Sequence, residues 1–150
     1  MTDQEKEIQR CNKNITIFMG YSPKYSELTN GQLGLYFERT GWEFNISEKI
    51  GESRFYYVPQ LEYDRNYEWL MKVVEVISKT EILDENKQVK SFHFRTFGMR
   101  NLETDNFMFR IDSFQVHEDE DFITGLYNSI TEFIDWYLEY EEISHFGIEN

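Results

Sequence analysis

The run His117-Glu118-Asp119-Glu120-Asp121 is the densest set of metal-competent side chains in the sequence. Hard cations take several carboxylate oxygens and imidazole joins transition-metal sites, so the run admits a metal-dependent hydrolase or nuclease as one reading. It lacks the spaced oxygens and the glycine of an EF-hand loop. Carboxylates here also suit the start of a helix, whose dipole favours negative charge. Glu85-Asn86-Lys87 reproduces the tripeptide of a Glu-x-Lys nuclease, yet it falls in turn-forming sequence. Cys11 would need a base and an electropositive, exposed setting to act as a nucleophile, whereas its spacing places it on the buried face of a helix. His93 and His145 have no recognisable partners, and Gly31-Gln32-Leu33-Gly34 is too short for a phosphate-cradling loop. No catalytic residue, metal ligand or cofactor is assigned.

Two patterns suit binding better than catalysis. Lys87, Lys90, His93, Arg95 and Arg100 alternate with Phe92, Phe94 and Phe97, as in a strand on which single-stranded RNA stacks. An ordinary half-buried strand has the same composition, and so acidic a chain makes direct nucleic-acid binding the weaker expectation. The other pattern is acidic. Glu132, Asp135, Glu139 and Glu142 recur every three or four residues with no Lys or Arg between them. On a helix such neighbours lie about 5 to 6 Å apart, close to the spacing of successive phosphates, and their mutual repulsion has no local compensation. A solvated face accounts for many such stripes. Docking against a basic surface is the functional alternative, with Glu118, Asp119, Glu120 and Asp121 as a second patch. Trp136 and Tyr140, with Tyr127, would then be the aromatic anchors.

The elements that would position these residues follow from periodicity. Ile8, Cys11, Ile15, Phe18 and Met19 predict a helix over 2–19, with Gly20 as its stop. Leu33, Leu35 and Phe37, then Trp42, Phe44 and Ile46, then Tyr56 and Val58 predict three strands, with turns at Thr40-Gly41 and Gly51-Glu52-Ser53. Asp64 is the expected cap of a second helix whose inner face is Leu70, Val73, Val74 and Ile77, flanked by Trp69. Strands are expected over 89–97 and 107–116, the second with a bulge near Asp112 and Ser113 that brings Phe114 and Val116 back into phase. Phe122, Leu126, Ile130, Phe133, Ile134, Tyr137 and Leu138 predict a long final helix capped by Asp119 or Asp121. The expected architecture is a single α+β domain over 1–150, in the order α-β-β-β-α-β-β-α, with one mainly antiparallel sheet of about five strands covered by three helices.

Composition bounds the rest. Hydrophobic residues make up 40% and charged residues 29% of the 150, an ordinary globular balance. The net charge of −13 is unevenly placed: residues 1–100 hold 15 acids against 14 bases, and residues 101–150 hold 13 acids against Arg110 alone. That region repels free nucleic acid and attracts basic proteins. The first residues are polar, no run reaches membrane length, and a single cysteine fits a reducing compartment, so a soluble cytoplasmic protein with no membrane partner is expected.

Three segments carry a resemblance: 12–20 (NKNITIFMG), 63–77 (YDRNYEWLMKVVEVI) and 126–137 (LYNSITEFIDWY). They resemble small proteins of bacteriophages, prophages and mobile elements, including those described as phage α/β/α-sandwich-like, and they span the three expected helices. The resemblance implies a phage setting in an infected bacterial cell and no activity of its own. Small acidic phage proteins without enzymatic motifs include inhibitors of host defence nucleases, among them anti-CRISPR proteins. The expectation is a non-enzymatic protein that binds a basic host nucleic-acid-handling protein, foremost a CRISPR effector nuclease.

Overall fold

A computed structural model describes residues 1–27, 33–38, 55–112 and 114–149. The expected strand around Trp42, Phe44 and Ile46, both turns flanking it, Gly31, Gln32 and Ser113 lie outside the described residues, as do the side chains of Glu142 and His145. The chain divides into two units, one of residues 1–63 with 134–150 and one of residues 64–133.

In the first unit, helix α1 covers Asp3–Phe18. Thr2 caps it by accepting the Glu5 N–H at 3.1 Å, and Asp3 and Glu5 complement the helix dipole. Its inner face is Cys11, Asn12, Ile15 and Thr16. The helix ends because Gly20 adopts a φ of 90°, left-handed backbone that costs glycine little. Strands β1 (Ser22–Glu27), β2 (Leu33–Glu38) and β3 (Phe55–Tyr57) form an antiparallel sheet in that order. Register pairs Tyr25 with Leu35 and Phe37 with Tyr56. A 3-10 turn, Val58–Gln60, brings Leu61 and Tyr63 into a core with Ile15, Met19, Tyr21, Phe37 and Tyr56.

The second unit starts with α2 (Tyr67–Lys79), capped by Asn66, whose side-chain oxygen accepts the Trp69 N–H at 3.2 Å. Asp64 is not the cap. Val76 is buried and Val74, expected inside, only half-buried, because Trp69, Leu70, Val73, Val76 and Ile77 make the inner stripe. Strands β4 (Glu81–Leu83) and β5 (Val89–Ser91) form a hairpin, and β6 (Phe94–Arg100), β7 (Phe107–Ile111) and β8 (Val116–Asp119) form a three-stranded antiparallel sheet in that order. Phe122 is the hub of the aromatic core beneath it, with Tyr67, Phe97, Phe107 and Phe109 ring centroids 5.3 to 5.9 Å away. Helix α3 covers Phe122–Glu149, so its earlier residues belong to this unit and its later ones to the first.

The α+β class stands, but the single five-stranded sheet does not. The described strands fall into three small antiparallel sheets of three, two and three strands. Tight turns set the pairing within the second and third of these sheets. Asp84 accepts the N–H groups of Asn86 and Gln88, closing β4 onto β5, while Phe114 N–H to Ile111 O ends β7. The expected bulge near Asp112 is thus a turn between two strands, and Phe114 and Val116 are out of phase because they lie beyond it. Register shifts occur instead in β6, between Phe94 and Thr96 and between Phe97 and Met99. No helix among the described residues is long and apolar enough to cross a membrane.

Candidate interaction surface

The acidic stripe of α3 is not uniform. Asp135 accepts from Arg10 Nη2 at 3.0 Å and from Asn14 Nδ2 at 3.1 Å, so two α1 side chains occupy it. Arg10 also donates to Glu7, first among the contacts that hold its guanidinium charged and the Glu7 carboxyl below its ordinary range. In the same unit Glu139 is exposed and has no hydrogen-bond or ion-pair partner among the described residues. Trp136 and Tyr140 are half-buried and stacked on one another, 5.7 Å between ring centroids at 23°. Glu141, also exposed, accepts from the Tyr137 hydroxyl, while burial is the main cause of that phenol's raised pKa.

In the second unit Glu132 is exposed, accepts from Gln115 and lies 3.7 Å from His117 Nδ1. The 117–121 run is split by its own backbone. As part of β8, His117 and Asp119 are half-buried while Glu118 is exposed, and Glu120 beyond the strand is exposed too. Glu118 accepts from Asn101 Nδ2 at 2.8 Å and Thr104 Oγ1 at 3.4 Å, neutral donors that leave its charge in place. Asp119 accepts the Asp121 N–H. Asp121 is the cap of α3: it accepts the Thr124 N–H at 2.9 Å, the main contact that lowers its pKa. Among the described residues no three His, Cys, Asp or Glu side chains come together to hold a metal ion. Strand alternation explains why this run does not converge.

Two other expectations change. Tyr127 is only 7% exposed, a core side chain of the second unit and not a surface anchor. The basic-aromatic segment is largely engaged. Phe92 is fully buried and Phe97 packs edge-on against Phe94, Phe109 and Phe122. Arg95 donates to both Asp112 oxygens at 2.7 and 2.9 Å, and Arg100 pairs with Asp105 and lies over the Phe107 ring. The rings that RNA would stack upon are therefore turned into the protein. Cys11 is buried and its thiol is pushed up to about 11, chiefly by desolvation, which opposes nucleophilic use.

The Arg10–Asp135 contact and the exposed Met99, Leu102 and Val116 were outside the reach of sequence reasoning. Neither a long-range ion pair nor exposure at an isolated apolar position leaves a periodic signal. No family model matches the chain, and no similar protein was found among curated proteins or solved structures.

Proposed function

We propose that the protein is a non-enzymatic, acidic interaction protein that binds a basic nucleic-acid-handling protein of an infected bacterial cell, foremost a CRISPR effector nuclease, and obstructs its loading with RNA or target. The observation that carries this reading is an excess of negative charge: residues 101–150 hold 13 acids against Arg110, only Asp105, Asp112 and Asp135 pair with arginines among the described residues, and α3 contains no Lys or Arg. Such a surface steers encounter with a basic groove, and adjacent aromatics hold the complex. In the first unit Glu139 and Glu141 supply charge beside Trp136 and Tyr140. In the second, Glu118, Glu120 and Glu132 supply it. Asp135 and Asp121 serve mainly the fold, and Tyr127 the core. The resemblance to phage proteins supports the setting.

The test is competition. Purified protein is added to a basic bacterial nuclease with its guide or substrate nucleic acid, and nucleic-acid binding is followed at rising salt. Displacement that fades with salt, and that is lost in a Glu139→Lys, Glu141→Lys, Glu120→Lys variant of unchanged circular dichroism, is the expected result. Equal displacement by the variant would reduce these carboxylates to a solvated face.

A further inference from the structure

The register of the β6-β7-β8 sheet leaves the outer side of β8 open. Ile111 donates its N–H to Gln115 O at 3.1 Å, which makes 111 and 115 a hydrogen-bonded pair. Antiparallel pairs alternate between bonded and non-bonded. Phe109 with His117 and Phe107 with Asp119 are thus bonded pairs, whereas Arg110 with Val116 and Met108 with Glu118 are not. The backbone N–H and C=O groups of Val116 and Glu118 accordingly point away from β7, and among the described residues β8 has no strand on that side.

The side chains along this edge select what can pair with it. His117 lies beside Glu132, and the Asp119 Cβ comes within 2.9 Å of where a Cβ on Gly125 would stand, so these two face α3. Val116, 52% exposed, and Glu118 take the opposite face. A second copy of this chain would bring its own Glu118 and Glu120 against these, and like charges across a ladder are destabilising. The same acids favour a strand that carries Lys or Arg opposite Glu118 and an apolar residue opposite Val116.

We propose that the outer edge of β8 is a docking edge for an extended, basic segment of a partner protein, which joins the β6-β7-β8 sheet as a fourth strand. This rests on the reading that the partner is basic, and it assigns a backbone geometry to part of that contact. Backbone hydrogen bonds supply the affinity, and Glu118 and Glu120 supply the choice of partner.

The experiment titrates a capped decapeptide of alternating lysine and threonine into isotope-labelled protein, beside a lysine-proline peptide of equal charge that cannot form a ladder. The lysine-threonine peptide is expected to bind about tenfold more tightly, the worth of one or two backbone hydrogen bonds, and to protect the Val116 and Glu118 amides from exchange. Val116→Pro removes one outward donor at the first position of the strand without changing charge, and is expected to abolish the difference between the peptides. If that variant unfolds, amide protection in the unaltered protein decides. Equal binding of the two peptides, or protection elsewhere, would overturn the docking edge and leave the basic-partner reading standing. Binding of neither peptide would overturn the docking edge as well, and the competition experiment above then judges the broader reading separately.

Discussion

Arg10 and Asp135 are 125 positions apart in the chain and 3.0 Å apart in the fold. Their contact converts the centre of an acidic stripe into a tie between α1 and the later part of α3, both in the same unit. Both side chains remain partly exposed, so solvent screens the pair. Asp135→Ala should lower unfolding stability by no more than about 1 kcal/mol, read as a small shift in urea midpoint. Asp135→Lys should cost more, because it sets an ammonium against Arg10. Loss of partner binding in that variant would therefore not isolate charge recognition, whereas loss in Glu139→Lys would.

Acid should loosen the start of α3. The Thr124 backbone N–H holds the Asp121 carboxyl below its ordinary value, so the folded pKa lies under the unfolded one, about 3.9. The stabilisation is present above that unfolded value and is lost as pH falls through the folded one. Asp121→Asn keeps a capping oxygen and cannot titrate. Its thermal midpoint should fall less steeply than that of the parent as pH drops below about 4, and parallel curves would show that other carboxylates govern this limb.

Gly98 should resist substitution. Its φ of 71° is strained for any L side chain, and a Cβ there would collide with the Phe122 ring. Gly98→Ala should cost about 1 to 3 kcal/mol. Gly125→Ala gains helix propensity, but its Cβ would stand 2.8 Å from Phe109 Cε2 and 2.9 Å from Asp119 Cβ. A lowered melting temperature in both variants is the expected outcome; a raised one for Gly125→Ala would mean that α3 moves off the sheet freely.

Cys11 should behave as a masked thiol. It is buried, and desolvation raises its pKa to about 11. At pH 8 an aromatic disulfide reagent should react slowly with the folded protein and rapidly in denaturant. Fast reaction under native conditions would show that the α1 face opens readily.

Replacing the Asn66 cap should shorten α2. Asn66→Ala removes the acceptor for the Trp69 N–H and should cost about 1 kcal/mol. Asp64→Ala should cost less, which thermal unfolding of the two variants would separate.

Local signals were legible where the code is local. The Gly20 stop and 3.6-residue stripe of α1 follow from neighbouring residues, as does the apolar stripe of α3, whereas Thr2, expected within α1, is its cap. The choice of Asn66 over Asp64 was not, because both are competent caps within three positions. Strand β1, Ser22-Pro23-Lys24-Tyr25-Ser26-Glu27, has no apolar alternation, and Pro23 is tolerated there because β1 is an edge among the described strands. Strand β8 escaped for a similar reason: hydrophobic patterning is silent when the one apolar residue, Val116, is exposed and the inward residues are His117 and Asp119.

By itself the sequence determined the α+β class, most of the apolar stripe of each helix and the gathering of negative charge in the last third, since each depends on residue type and short-range period. Only the tertiary structure decided how the strands divide into three sheets and which carboxylates remain unspent. Those outcomes depend on partners that local periodicity does not reveal: Arg10 neutralises Asp135 and Arg95 neutralises Asp112, whereas Glu118 and Glu132 meet the neutral amides of Asn101 and Gln115 and the imidazole of His117. Charge summed along a chain says how much potential a surface holds. Folding decides which residues still present it to a partner.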